Sequence, residues 1–238
     1  MNKFHAIFGI AETDVRKTCI LLPILMPDIL KKFGIKRLSR GKIYHSGSNK
    51  NVTIIKTGIG PGISGDAVLY LGETQCQNII LFGSCGLVKE KKGLTVGSLV
   101  MPTECYSIES FSDMLLDGPS YQKSFKPDMA LLEKLFSTGN AKNIKKVMCA
   151  TLASLKLEEG YVDSFTENTI DVVDMECSAF FSASRAVNKK AAALFYVTDI
   201  INKVPFYNLG FGEKLSISSS IKTALEFLWK AIEKNSTS

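Results

Sequence analysis

Apolar residues in this chain occur in two kinds of pattern. Short continuous runs that are rich in β-branched and aromatic residues are typical of buried strands, whereas apolar residues spaced three or four positions apart are typical of helices with one buried face. The runs predict strands at residues 4–10, 52–57, 78–82, 97–102, 146–152 and 191–197. The spaced pattern predicts helices at residues 14–33, 63–77, 127–136, 174–187 and 214–234.

The predicted strands alternate with the predicted helices along the chain. This order is typical of α/β proteins, in which helices cover both faces of a mainly parallel sheet. We therefore expect a single-domain, three-layer α/β/α fold over residues 1–238, with a mixed, largely parallel central sheet. Ligands of such sheets bind beyond the carboxyl ends of the strands, so residues that directly follow strands are the first candidates for a site.

Charge and cysteine content narrow the functional classes. The net charge is +6, but the lysines are spread over the chain without interleaved aromatic residues, which favours a solvated surface over nucleic-acid binding. The six cysteines form no C-x-x-C pair and there are only two histidines, so we expect no metal site. Thiols inside apolar runs indicate a reducing compartment.

Targeting and membrane signals are missing from the sequence. The amino-terminal residues lack the pattern of a signal peptide. The most apolar stretch, residues 20–30, is too short to span a bilayer and contains two prolines. These features predict a cytoplasmic protein that does not bind membranes.

A first glycine-rich segment comes directly after predicted strand 78–82. It consists of Gly83, Ser84, Cys85 and Gly86. Glycines let the backbone approach a ligand closely, exposed N–H groups can hold an oxyanion, and the Ser84 hydroxyl could add a donor. A tight turn without any function explains the same residues equally well.

A second glycine-rich segment, residues 58–65, follows predicted strand 52–57. Its spacing differs from the G-x-G-x-x-G fingerprint of dinucleotide binding, and it lacks the lysine and hydroxyl residue of a P-loop. A nucleotide-cofactor oxidoreductase is therefore disfavoured. Gly60 is better explained as part of the lining of a small-molecule site.

Two acidic residues occupy positions that suit different chemistry. Glu176, near the start of predicted helix 174–187, either favours the helix dipole or accepts hydrogen bonds from two vicinal hydroxyls such as those of ribose. Asp199, after predicted strand 191–197, either caps a turn or acts as a general acid in a partly apolar pocket that raises its pKa.

Two further acids, Glu12 and Asp14, come after predicted strand 4–10. Each is either a surface acid or helix cap, or a group that activates a nucleophile beside the site. A serine–histidine triad is a poor alternative, because neither of the two histidines lies on a recognisable nucleophile turn.

Five segments together resemble the nucleoside phosphorylase superfamily, which includes purine nucleoside phosphorylase, uridine phosphorylase and methylthioadenosine/adenosylhomocysteine nucleosidase. They keep the family order and are residues 57–61 (TGIGP), 83–87 (GSCGL), 96–103 (VGSLVMPT), 173–179 (VDMECSA) and 197–199 (VTD). The resemblance implies an enzyme that cleaves the N-glycosidic bond of a nucleoside and releases the free base, with a purine favoured. It also implies that no metal or organic cofactor takes part.

The resemblance implies roles for individual residues as well. Glu176 would bind the ribose 2′- and 3′-hydroxyls, and Met175 would pack under the sugar. Asp199 would protonate or hydrogen-bond the departing base. Ser84 and the amides of residues 83–86 would hold phosphate or position water.

The sequence departs from the family pattern at two positions. Leu81 stands where phosphorylases similar to uridine phosphorylase carry an arginine that grips phosphate. This tilts the prediction slightly toward hydrolysis, with Glu12 or Asp14 activating water, and leaves phosphorolysis with inorganic phosphate as the alternative. Leu155 falls where relatives usually present an aromatic residue to the base, so the identity of the base stays open.

Assembly and a rival interpretation complete the expectations. Relatives form dimers, trimers or hexamers with sites near subunit interfaces, so we expect a homo-oligomer. A non-catalytic nucleoside-binding protein of the same fold is the rival, because a fold does not imply activity. The presence of both Glu176 and Asp199 argues against that rival.

Overall fold

The computed structural model describes residues 3–91, 93–116, 124–137 and 143–234. Within these residues ten strands form one sheet. The strands are β1 (Thr18–Leu22), β2 (Ser39–Arg40), β3 (His45–Ser48), β4 (Thr53–Lys56), β5 (Asn78–Leu87), β6 (Leu99–Ile108), β7 (Ser124–Phe125), β8 (Ile144–Leu152), β9 (Val172–Asp174) and β10 (Lys190–Ile200).

The sheet is mixed, and its longest ladders are parallel. The order across the sheet is β10-β6-β8-β9-β5-β1-β4-β3-β2, with β7 beside β6. β10 also pairs with β5, so β5, β9, β8, β6 and β10 close into a ring. The pairs β10–β5, β6–β8, β1–β5, β1–β4 and β8–β9 are parallel, whereas the antiparallel ladders are short. The predicted mixed, largely parallel sheet is thus confirmed.

Helices cover both faces of the sheet, as a three-layer fold requires. They are α1 (Lys3–Phe8), α2 (Pro27–Lys32), α3 (Pro61–Leu71), α4 (Phe111–Leu115), α5 (Met129–Phe136), α6 (Leu155–Glu167), α7 (Cys177–Ala186) and α8 (Phe211–Lys234). Leu21 of β1 packs in one core cluster with α1, α3 and α7, and its neighbour Ile20 packs in a second cluster with α2, α5 and α8. Successive side chains of a strand point to opposite faces, so β1 needs apolar residues throughout.

The prediction of a strand at residues 4–10 is wrong, because the structure forms α1 there. Phe4 and Phe8 are one helical turn apart, both are buried, and their rings stack with centroids 4.3 Å apart. Gly9 follows with a φ of 79°, and its N–H donates to the carbonyl of His5 at the helix end. The apolar run is therefore one face of a short helix.

The prediction of one helix at residues 14–33 is also wrong. The structure places the fully buried β1 and the separate helix α2 in this stretch. A strand that is buried on both faces shows no alternation, so periodicity alone does not distinguish it from a buried helix. Pro27 lies in the first turn of α2, where a missing N–H costs no hydrogen bond.

The other predicted elements are present with shifted ends. Strands 52–57, 78–82, 97–102, 146–152 and 191–197 correspond to β4, β5, β6, β8 and β10. Helices 63–77, 127–136, 174–187 and 214–234 correspond to α3, α5, α7 and α8; α7 begins only at Cys177 because β9 ends at Asp174. Helix α6 was not predicted.

Two further findings concern the cysteines and the helices. The six cysteines are all buried, and none is paired in a disulfide. Among the residues that the structure describes, none of the helices combines the length and the apolar character needed to cross a bilayer.

Candidate active site

A cavity of about 320 Å³ opens at the carboxyl ends of β5 and β10. This volume is within the usual range for small-molecule sites. Eight of the residues singled out from the sequence line it together: Gly83, Ser84, Cys85, Gly86, Leu155, Met175, Glu176 and Asp199. The glycine motif, the diol-binding candidate and the proton-donor candidate therefore share one cleft.

Asp199 reaches the cavity because of an irregularity in the sheet. β10 runs parallel to β5, and the register shifts between Val197 and Asp199, so that Asp199 pairs with Gly86. Such a bulge redirects the side chains that follow it. A Cβ atom on Gly86 would lie 3.1 Å from Asp199 Oδ2, so glycine leaves room for the carboxyl group. The Thr198 hydroxyl donates a 2.6 Å hydrogen bond to Asp199 Oδ1.

Glu176 is held by the backbone of the loop after β4. The N–H of Gly60 donates to Glu176 Oε1 at 2.7 Å. Gly60 has a φ of 123°, a conformation that L residues rarely adopt, and this turn directs its N–H at the carboxylate. Gly60 itself is not among the cavity-lining residues, whereas its neighbour Ile59 is. The glycine therefore acts on the site through Glu176.

Asp174 fixes the backbone that carries Glu176. Its Oδ2 accepts the N–H groups of Glu176 at 2.9 Å and Cys177 at 2.7 Å, and its Oδ1 accepts the Thr151 hydroxyl at 2.6 Å. These bonds satisfy N–H groups at the start of α7 that have no partner within the helix. Asp174 thus ties the end of β9, the start of α7 and strand β8 to one another.

The cavity is acidic. Glu158, Asp174, Glu176 and Asp199 line it, and no lysine, arginine or histidine is found among the described lining residues. Burial raises the pKa of Glu176 to about 7, with the N–H of Gly60 acting in the opposite direction. Burial also raises the pKa of Asp199, partly offset by the Thr198 hydroxyl. A raised pKa lets a carboxyl group hold its proton at a higher pH than an ordinary acid does, which suits a group that transfers protons.

A family comparison agrees with this geometry. The family model described as "Phosphorylase superfamily" matches residues 28–220 of the chain. The chain belongs to the phosphorylase superfamily. It is therefore an enzyme of the nucleoside phosphorylase and nucleosidase group, as the resemblance of its motifs implied.

Solved structures with the same fold include members with different activities. Uridine phosphorylase from Vibrio fischeri ES114 matches with a TM-score of 0.74 and 19% identity, covering 94% of this chain and 95% of that chain. A 5′-methylthioadenosine/S-adenosyl homocysteine nucleosidase from Campylobacter jejuni matches with a TM-score of 0.74 and 17% identity, covering 92% and 99%. Purine nucleoside phosphorylase from Toxoplasma gondii matches with a TM-score of 0.75 and 15% identity, covering 94% and 92%. A search of curated proteins gave no match.

Glu12 and Asp14, the two acids predicted to activate water, lie outside the cavity. Glu12 and Asp14 belong to a short 3-10 helix that precedes β1, not to a loop that follows a strand. The cavity lies beyond the carboxyl ends of strands, and neither acid lines it. The predicted position of the two acids depends on a strand at residues 4–10, whereas the first strand of the structure is β1, which follows them.

Glu158 and Phe206 also line the cavity, although no motif of the sequence predicts them there. Glu158 lies on α6, three residues after Leu155, so the two side chains share a face of the helix. Ser154 caps α6 by accepting the N–H of Leu157, and a serine followed by good helix formers could have indicated this helix. Phe206 lies in a 3-10 turn after β10 that has no comparable sequence signal.

A buried cluster adjoins the cavity at Asp174. The Sγ atoms of Cys105, Cys149 and Cys177 and a carboxylate oxygen of Asp174 all lie within 4.8 Å of one another, close enough to hold a metal ion. The three cysteines come from β6, β8 and α7, so no local spacing could reveal the cluster. The Asp174 oxygens already accept four hydrogen bonds: two from N–H groups at the start of α7, one from the Thr151 hydroxyl, and one from the Cys149 thiol at 3.7 Å. The expectation that the enzyme uses no metal stays a prediction.

Proposed function

We propose that this protein cleaves the N-glycosidic bond of a nucleoside and releases the free base, with a purine favoured and with water favoured over phosphate as the nucleophile. One observation carries the proposal: Glu176 and Asp199 line the same cavity. Cleavage needs a group that binds the sugar and a group that protonates the leaving base, and these two side chains supply both.

The chemistry follows from the two carboxyl groups. As the bond from the sugar to the base breaks, positive charge develops on the ribose and negative charge on the base. Asp199, whose pKa is raised by burial, would transfer its proton to the base. Glu176 would accept hydrogen bonds from the ribose hydroxyls, and its charge would favour the cationic sugar.

The acidic lining supports the preference for water. Phosphate is an anion, and its transfer from solvent into a cavity lined by four acids and no cation among the described residues is unfavourable. The arginines of the chain do not line the cavity; they are Arg16, Arg37, Arg40 and Arg185. Phosphorolysis is the second candidate, because glycine amides and Ser84 at the end of β5 offer neutral donors for an oxyanion.

A product analysis tests the proposal. Purified protein is incubated with a panel of purine and pyrimidine nucleosides in phosphate-free buffer and again with added phosphate. Free base is measured by liquid chromatography, and ribose is separated from ribose 1-phosphate. Release of base and ribose without phosphate is the expected result. Turnover that depends on phosphate would replace hydrolysis by phosphorolysis, and binding without any turnover would contradict the enzymatic proposal.

We also propose that the protein acts as a homo-oligomer. Exposed apolar side chains surround the cavity mouth: Ile24, Ile59 and Phe206 are each about half exposed and line the cavity. Clustered apolar surface of this kind is typical of a contact surface. Light scattering coupled to size-exclusion chromatography should give a mass above the 26.1 kDa of one chain.

A further inference from the structure

Glu158 is a second acid at the end of the cavity where Asp199 lies. It projects from the first turns of α6, and both side chains line the cavity. The Asn202 side chain donates to the carbonyl of Glu159 at 3.2 Å, which joins α6 to the turn after β10. The two carboxyl groups are therefore held on elements that are tied to each other.

The charges around Glu158 are all of one sign among the described lining residues. Asp199 acts on it from β10, Glu159 is its neighbour on the same helix, and Asp174 and Glu176 also line the cavity. Burial, Asp199 and Glu159 together raise the pKa of Glu158 to about 7. Glu158 is therefore protonated below about pH 7 and ionised above it.

Above about pH 7 the ionised Glu158 carboxylate offers only hydrogen-bond acceptors, beside the Asp199 carboxyl group that the proposed function uses as the proton donor. Adenine presents the matching set on one edge, with N7 as acceptor and the 6-amino group as donor. A 6-oxopurine such as guanine presents two acceptors there, N7 and O6. Against a 6-oxopurine, one oxygen of the ionised carboxylate would face another acceptor and lose its hydrogen bond.

We propose that Glu158 determines base specificity, and that together with Asp199 it selects nucleosides of 6-aminopurines over those of 6-oxopurines. Asp199 donates its proton to N7, and the Glu158 carboxylate accepts a hydrogen bond from the 6-amino group. This inference rests on the proposed function and specifies its substrate class.

The arrangement makes the selectivity depend on pH. Below about pH 7 the Glu158 carboxylate binds a proton, because its pKa is about 7. Glu158 can then donate to O6, and the disadvantage of 6-oxopurines decreases. The ratio of kcat/KM for adenosine to that for inosine should therefore fall as the pH is lowered.

The test compares this ratio in three proteins: the wild type, Glu158→Gln and the control Glu159→Gln. Glu159 is the next residue on α6, pairs with Lys156 and does not line the cavity, so its variant removes the same charge without touching the base. At about pH 8 the wild type should favour adenosine at least about tenfold, as expected when a buried polar group loses its partner. Glu158→Gln should bring the ratio close to one at every pH, because its amide both donates and accepts. Glu159→Gln should keep the preference for adenosine at about pH 8. Because Glu159 helps to raise the pKa of Glu158, the ratio in this variant should begin to fall at a lower pH than in the wild type.

The outcomes separate this inference from the function on which it rests. A ratio that is unchanged in Glu158→Gln, or a wild type that favours inosine, would overturn the role of Glu158 while leaving glycosidic cleavage intact. If neither nucleoside is cleaved, the proposed function fails. The affinities for free adenine and free hypoxanthine are then compared by calorimetric titration. Tighter binding of adenine that disappears in Glu158→Gln would support the specificity role, and equal binding of both bases would overturn it.

Discussion

Two carboxyl groups of the cavity are buried to similar degrees but supported differently. Glu176 is 4% exposed and accepts the backbone N–H of Gly60. Asp199 is 7% exposed, is bonded to the Thr198 hydroxyl, and has the acid Glu158 as a neighbour. A backbone N–H holds a carboxylate as a hydrogen-bond acceptor, the role proposed for Glu176, whereas Asp199 shares its part of the cavity with a second acid. We call the surroundings of Glu176 the sugar end and those of Asp199 and Glu158 the base end, after the roles proposed for them.

The largest expected effect comes from removing the donor. Asp199→Asn keeps the shape of the side chain and an oxygen for the Thr198 hydroxyl but has no acidic proton. General acid catalysis typically contributes about 10² to 10⁴ in rate, so kcat should fall by that factor. The measurement is kcat for the best nucleoside of the panel, together with the circular dichroism spectrum of the variant.

The matched control for this variant is Asp163→Asn, an exposed acid on α6 outside the cavity. It removes one negative charge from the same region and should leave kcat unchanged. Full activity of Asp199→Asn on every substrate would mean that Asp199 is not the proton donor. The two ends of the cavity would then no longer differ in this function.

A smaller effect is expected at the sugar end. Glu176→Gln keeps an oxygen for the N–H of Gly60 but loses the charge that binds the ribose hydroxyls. Charge-assisted hydrogen bonds contribute about 1.5–3 kcal/mol, so kcat/KM for a ribonucleoside should fall about tenfold to a hundredfold. The loss should be smaller for the 2′-deoxynucleoside, which lacks one hydroxyl. A variant that discriminates the two sugars as the wild type does would contradict the role of Glu176.

Local motifs predicted the site better than periodicity predicted the elements around it. Glu176 and Asp199 could be found because each follows a strand in a recognisable segment, 173–179 or 197–199. Glu158 could not, because α6 brings it to Asp199 only through tertiary packing across 41 positions of the chain. The contact of Gly60 with Glu176 spans 116 positions and is equally invisible to local patterns.

The misassigned amino terminus shows where pattern reasoning fails in physical terms. In β1 every residue is buried on one face or the other, so the strand carries no alternation. In α1 only Phe4 and Phe8 are buried, and the short helix has too few turns to show a period. A strand at residues 4–10 would place Glu12 and Asp14 after the carboxyl end of a strand and so near the predicted site. In the structure they lie before the amino end of β1. The prediction that one of them activates water depended on the first placement.

A third prediction concerns the stability cost of the buried Glu176. Its pKa is about 7 in the folded protein and is 4.5 as an ordinary glutamate, so the folded state favours the protonated form. The contribution of this group to stability is therefore full below about pH 4.5 and is lost as the pH rises through about 7. Glu176→Gln does not ionise, so above pH 7 it should be more stable than the wild type by about 3 kcal/mol.

The measurement is urea unfolding of both proteins at a series of pH values. The advantage of Glu176→Gln should disappear as the pH approaches 4.5. A stability difference that is independent of pH would mean that burial does not raise the pKa of Glu176, and the prediction would be wrong.

The smallest effect is expected from adding an aromatic side chain at Leu155, which lines the cavity at the base end. Leu155 is 48% exposed and lines the cavity on the same face of α6 as Glu158. Leu155→Phe would offer a ring for stacking on the base. Aromatic pairs contribute about 0.5–1.5 kcal/mol beyond their buried area. The KM should therefore fall about twofold to tenfold, while kcat changes little. Leu157→Phe adds the same ring on α6 outside the cavity and should leave KM unchanged. An equal fall in both variants would show that added apolar surface, not contact with the base, causes the effect, and Leu155 would then have no part in binding the base.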